Sequence, residues 1–112
     1  MKDIYNINYK IFNYTIISII MEVIRKYVHF YGRVQGVNFR YTSSTQATKL
    51  GLTGWVRNDD DGSVEMEVQG TAELIDQLFE TMKTISPYIV IDTIEETTIS
   101  VEPNESEFVI KY

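Results

Sequence analysis

Along residues 27–34 apolar and polar positions alternate: Val28, Phe30, Gly32 and Val34 fall on one side, Tyr27, His29, Tyr31 and Arg33 on the other. A period of two predicts a strand with one face toward a core. From Phe39 the period lengthens, with Phe39, Ser43, Ala47 and Leu50 at helical spacing up to a stop at Gly51 and Leu52. Thr42, Ser43, Ser44, Thr45 and Thr48 give this helix weak propensity, so packing must hold it. Two further strands, Thr53 to Asn58 and Ser63 to Gln69, flank the hairpin signal Asp59-Asp60-Asp61-Gly62. In the second of them Val64, Met66 and Val68 oppose Glu65, Glu67 and Gln69. Thr71 is suited to cap a second helix with Glu73 in its first turn, and the expected apolar stripe is Leu74, Leu78, Met82 and Ile85, with Ile75 and Phe79 beside it. Pro87 ends that helix. Tyr88 to Val101 reads as a fourth strand, Pro103-Asn104 as a turn, and Glu107 to Tyr112 as a short closing strand on which Phe108, Ile110 and Tyr112 share a face.

The resulting order, β-α-β-β-α-β with a short extra C-terminal strand, predicts an α+β class protein. Its expected architecture is a ferredoxin-like sandwich, an antiparallel sheet with two helices on one face. With 112 residues, 44% of them apolar, the chain is sized for one core. Residues 1–20 differ from the rest in being rich in Ile, Asn and Tyr, and read as an N-terminal extension, either a disordered tail or the product of an upstream start ahead of Met21. The apolar stretch there is too short to span a bilayer and lacks the flanks of a secretory signal. Residues 21–112 are then the working domain.

There are no cysteines, which excludes a disulfide framework, a thiolate metal site and a cysteine nucleophile, and agrees with a cytoplasmic setting. The net charge of -6 argues against a nucleic-acid partner, whose binding rests on neutralising many phosphates. The charge is unevenly spread. Arg25, Lys26, Arg33, Arg40, Lys49 and Arg57 form a block without Asp or Glu, whereas from Asn58 onward fourteen acids face only Lys83 and Lys111. The positive block is suited to attract a small anion.

Inside that block lies GRVQGVNFR, Gly32 to Arg40. Glycines let a backbone turn its N-H groups toward a ligand, a following helix N-terminus adds positive potential, and arginine adds a forked cation. The spacing matches neither a Walker loop nor GxGxxG. By its residues alone the segment is compatible with a phosphate site and with a plain strand-to-helix turn. Asp59 to Gly62 does not fit a calcium loop, because Arg57 and Val68 would fall at the first and last ligand positions. His29, the one histidine, reads as a surface residue on an alternating strand, Trp55 as core, and the tyrosines as sheet-face packing. Asn58 ends a strand beside the hairpin, where it either starts the turn or projects toward the loop after the first strand.

Taken together, GRVQGVNFR at 32–40, GLTGWVRN at 51–58, DGSVE at 61–65 and the terminal FVIKY resemble the acylphosphatase family, from about Lys26 to Tyr112. The resemblance implies the sandwich inferred above and hydrolysis of carboxyl-phosphate anhydrides to a carboxylate and inorganic phosphate, with no metal and no cofactor. Carried over by position, Arg40 would bind the phosphoryl group and Asn58 would orient the attacking water. The amides of Val34, Gln35, Gly36, Val37, Asn38 and Phe39 would cradle the phosphate oxygens. Such chemistry asks mainly for positioning and charge stabilisation. Asn38 departs from the glycine of many members, although asparagine tolerates left-handed angles. The expected partners are a small acyl phosphate and inorganic phosphate, with no nucleic acid and no membrane, and the expected state is a monomer. The alternative is a phosphate- or anion-binding module of the same fold without turnover.

Overall fold

A computed structural model describes residues 21–112, and the extension expected over residues 1–20 lies outside them. The elements run β1 (Val23–Arg33), α1 (Phe39–Lys49), β2 (Thr53–Asn58), β3 (Val64–Thr71), α2 (Ala72–Thr84), β4 (Val90–Ile99) and β5 (Phe108–Lys111). The strands form one five-stranded sheet in the order β4-β1-β3-β2-β5. Its first four strands pair antiparallel, and the short extra strand β5 joins β2 in parallel, so the complete sheet is mixed.

Period-two patterning decides which face is dry. Val28 and Phe30 of β1, Val56 of β2 and Val64, Met66 and Val68 of β3 are fully buried. They pack with Phe39 and Ala47 of α1 and Ile75, Leu78, Phe79 and Met82 of α2 in one cluster. The Phe30 ring lies 5.0 Å from Phe39 and 5.6 Å from Phe79, tying both helices to β1. The buried stripe of α2 keeps Leu78 and Met82 of the expected one together with the flanking Ile75 and Phe79, and leaves Leu74 half-buried. Ile75 is fully buried, whereas Ile85 follows the last helical residue, Thr84, as its C-cap and is 40% exposed. Thr71 caps as expected, its hydroxyl accepting from the Leu74 amide at 3.3 Å.

The weak helix α1 is fastened at its end by paired backbone bonds, Leu52 N-H to Ala47 O at 2.9 Å and Gly51 N-H to Thr48 O at 3.0 Å. The opposite sheet face is polar, and its buried arginine is paired within it. Arg25, 2% exposed, donates to Glu67 (2.8 Å), Glu105 (2.7 Å) and Gln69 (3.2 Å). Trp55 is not core, contrary to expectation. Its neighbours Gly54 and Val56 point to the helices, which leaves the indole on the open face beneath Lys111 and Arg57, 4.4 and 5.1 Å from the ring centre. Among the described residues no helix is long and apolar enough to cross a membrane.

Candidate active site

The loop 34–38 that follows β1 and the start of α1 form one wall of a cavity of about 270 Å³. Asn58, the last residue of β2, and Ile110 and Tyr112 close it from the sheet side. Two left-handed residues shape the loop: Gly36 at φ 72° and Asn38 at φ 64°, ψ 26°. Alternation of right- and left-handed backbone turns successive N-H groups to one side, a concave arrangement suited to anions. At Gly36 a side chain would meet no atom within 4 Å, so its φ, not space, is what favours glycine there.

The first intrahelical bond of α1 is Thr42 N-H to Asn38 O at 3.0 Å, leaving the amides of Phe39, Arg40 and Tyr41 without helical partners. The Asn38 side chain does not cap them, and the first turn carries no acid. Arg40 is the second residue of this turn. Its guanidinium lies 4.9 Å from the centre of the Tyr112 ring, and Nη1 donates to Lys111 O at 3.4 Å. Among the described residues no carboxylate pairs with it. A helix N-terminus and an arginine therefore face one small cavity without an acid to neutralise them.

Of the eight residues singled out in the sequence, Arg40, Asn58, Val34, Gly36, Asn38 and Phe39 line the cavity. Val37 packs toward the core. Gln35 turns away, and its Nε2 donates to the carbonyls of Asp59 (2.6 Å) and Ser63 (2.8 Å). Tyr41, Ile110 and Tyr112 also line the cavity and were not singled out. The shared face of the closing strand was the one available signal for the last two.

Behind the hairpin turn, His29 is half-buried, contrary to the expected surface position. It stacks on Tyr31 with ring centres 4.7 Å apart, and its Nε2 lies 2.6 Å from Ser63 Oγ. His29, Asp59 and Asp61 bring donor atoms within 4.8 Å of one another, but Asp61 already accepts from the Ser63 amide and hydroxyl. None of these three lines the cavity. Next to them, Tyr27 donates to Glu65 and Arg57 to the same carboxylate. The Glu65 bond, with burial adding to it, pushes the Tyr27 phenol up to about 12. Burial opposes the charge on Glu65, yet the bonds from Tyr27 and Arg57 outweigh it and hold the carboxyl below its usual range.

A profile described as acylphosphatase matches residues 26–110. The chain is 40% identical over 88 residues to an acylphosphatase of Geobacillus thermodenitrificans, covering 79% of this chain and 94% of that one. The fold matches the crystal structure of acylphosphatase from Bacillus subtilis with a TM-score of 0.73 and 35% identity, over 80% of this chain and 99% of that one. It also matches part of full-length HypF in its phosphate- and nucleotide-bound form, with a TM-score of 0.72 and 29% identity, over 82% of this chain and 12% of that one.

Proposed function

Because the chain belongs to the acylphosphatase family, whose activity is hydrolysis of acyl phosphates, we propose that the cavity between the 34–38 loop and Asn58 carries out that reaction, with residues 21–112 as the working domain. The loop amides and the first turn of α1 cradle the phosphoryl oxygens, and Arg40 supplies the cation that matches their charge. Asn58, facing them across the cavity, holds a water by its side-chain amide for attack on phosphorus. The water oxygen bonds to phosphorus, the bond from phosphorus to the acyl oxygen breaks, and its electron pair leaves on the carboxylate. A phosphoryl oxygen takes the proton from the water. The carboxylate is a good leaving group, so the reaction needs no general acid.

One observation carries this reading: Arg40 and Asn58, eighteen positions apart in sequence, line the same cavity as the loop. That lining offers a divalent cation no carboxylate, imidazole or thiolate side chain, which supports a mechanism without a metal. The test is hydrolysis of benzoyl phosphate with and without a chelator. Turnover insensitive to chelation is expected; absence of turnover with retained phosphate binding would favour a binding module instead, and turnover lost on chelation would refute the metal-free step. Asn58→Ala is expected to lower kcat while leaving inhibition by inorganic phosphate nearly unchanged. Equal losses in both would remove the water-orienting role.

A further inference from the structure

Gln35 is a loop residue whose side chain does not line the cavity, and its contacts give it a different task. Its amide nitrogen has two hydrogens, and each meets one backbone carbonyl, Asp59 O at 2.6 Å and Ser63 O at 2.8 Å. Those carbonyls belong to the two ends of the β2–β3 turn. Asp59 directly follows Asn58, and its own amide closes the hairpin on Ser63 O at 2.9 Å. A single side chain therefore spans from the phosphate-facing loop to the residue next to Asn58, and both of its donors are spent there. From behind, His29 holds the same turn through the Ser63 hydroxyl.

We infer that Gln35 is a positioning residue for hydrolysis: it fixes the separation between the anion cradle and the Asn58 side chain. The inference rests on the function proposed above. The cradle and Asn58 sit on different elements, a loop after β1 and the end of β2, and no backbone ladder joins those two segments, since β3 lies between β1 and β2 in the sheet. Without the Gln35 bridge their spacing depends on the loop and turn alone. A reaction that relies on placing water in line with the breaking bond is sensitive to such spacing, and a displacement of about 1 Å can cost on the order of a hundredfold in rate. Phosphate affinity depends on Arg40 and the loop amides and is far less sensitive to where Asn58 stands.

The carbonyls accept and cannot donate, which sets the test. Gln35→Met keeps the stem and removes both donors, whereas Gln35→Glu places acceptors against acceptors until its carboxyl is protonated and regains one donor. With benzoyl phosphate as substrate and inorganic phosphate as competitive inhibitor, both variants at neutral pH are expected to lose roughly tenfold or more in kcat. The phosphate inhibition constant should change by less than about threefold. As pH falls toward the carboxyl range, kcat of Gln35→Glu relative to wild type should recover, and that of Gln35→Met should not. The titratable groups facing this contact are His29 from β1 and Asp59 and Asp61 from the turn. The pH series is therefore repeated in a His29→Gln background, and recovery that vanishes there contradicts the inference. Thermal unfolding runs in parallel: variants that melt earlier yet keep wild-type kcat when folded make Gln35 a purely structural brace and overturn the positioning role. Equal losses in kcat and phosphate affinity overturn it as well. A wild-type protein that hydrolyses no acyl phosphate removes the proposed function and this inference together, whereas an active wild type with active Gln35 variants removes the inference alone.

Discussion

Replacing Asn38 by alanine and by glycine separates what the backbone of the cradle contributes from what its side chains contribute. Asn38 stands at φ 64°, ψ 26° directly before α1, and its side chain makes no capping bond, so truncation removes no cap. A left-handed backbone costs an ordinary L-residue about 1–2 kcal/mol, and asparagine less, because its short polar chain relieves part of that strain. Alanine is therefore expected to destabilise by about 1 kcal/mol. Glycine escapes the strain, but its freer unfolded chain takes back roughly 0.5–1 kcal/mol, leaving it close to wild type. For a domain of this size a gap of 1 kcal/mol is a difference in Tm of about 4–8 °C, readable by scanning calorimetry. Because Asn38 sets the direction in which the chain enters α1, two residues ahead of Arg40, benzoyl phosphate turnover should fall in the alanine variant and persist in the glycine variant. An alanine variant that melts at or above the glycine variant would refute the left-handed cradle.

Other outcomes follow from the same contacts. Gly54→Ala places a Cβ 1.9 Å from Glu67 O at φ 140°, so β2 must shift from β3 at a cost of about 3 kcal/mol, and a denaturant midpoint shift worth less than about 1 kcal/mol would contradict that packing. Tyr27, held neutral by Glu65, should titrate near 12 in an ultraviolet pH titration, and Tyr27→Phe should remove that step. Its raised value means that the Tyr27 contribution to stability is present below the ordinary value of about 10 and is lost as pH rises through about 12. The carboxyls of Glu65 and Glu105 run the other way. Burial opposes the charge on Glu105, but the Arg25 bond and charge win and hold it low. Their contributions are thus present above the ordinary carboxyl range and lost as pH falls through their depressed values, and Glu65→Gln should flatten the acid limb of the stability curve.

What could be read from the chain follows from how local each signal is. Alternation at Val28 and Phe30 and at Val64, Met66 and Val68 marks the buried face, because strand period and burial coincide without reference to any partner. The Thr71 cap and the loop that leads into Arg40 are likewise written in a few adjacent residues. The rest depends on partners distant in sequence. Arg25 looks like a surface cation until Glu67 and Glu105, 42 and 80 positions away, close around it. Trp55 looks like core by composition, but the parity of β2 turns it to the open face, where Lys111 covers it only after β5 has paired in parallel. Gln35 was legible as a member of the glycine loop, whereas its bridge to Asp59 and Ser63 appears only once the β2–β3 turn folds against the loop.

The central claim is that Arg40, beside the unpartnered amides of α1, binds the phosphoryl group as it is transferred. Steady-state hydrolysis of benzoyl phosphate by wild type and Arg40→Ala, with folding of both checked by their unfolding midpoints, tests it most directly. The loss of a preorganised cation at the reacting group is expected to lower kcat/KM by at least ~3 kcal/mol, on the order of a hundredfold or more. A folded Arg40→Ala variant with kcat/KM near that of wild type would contradict the account.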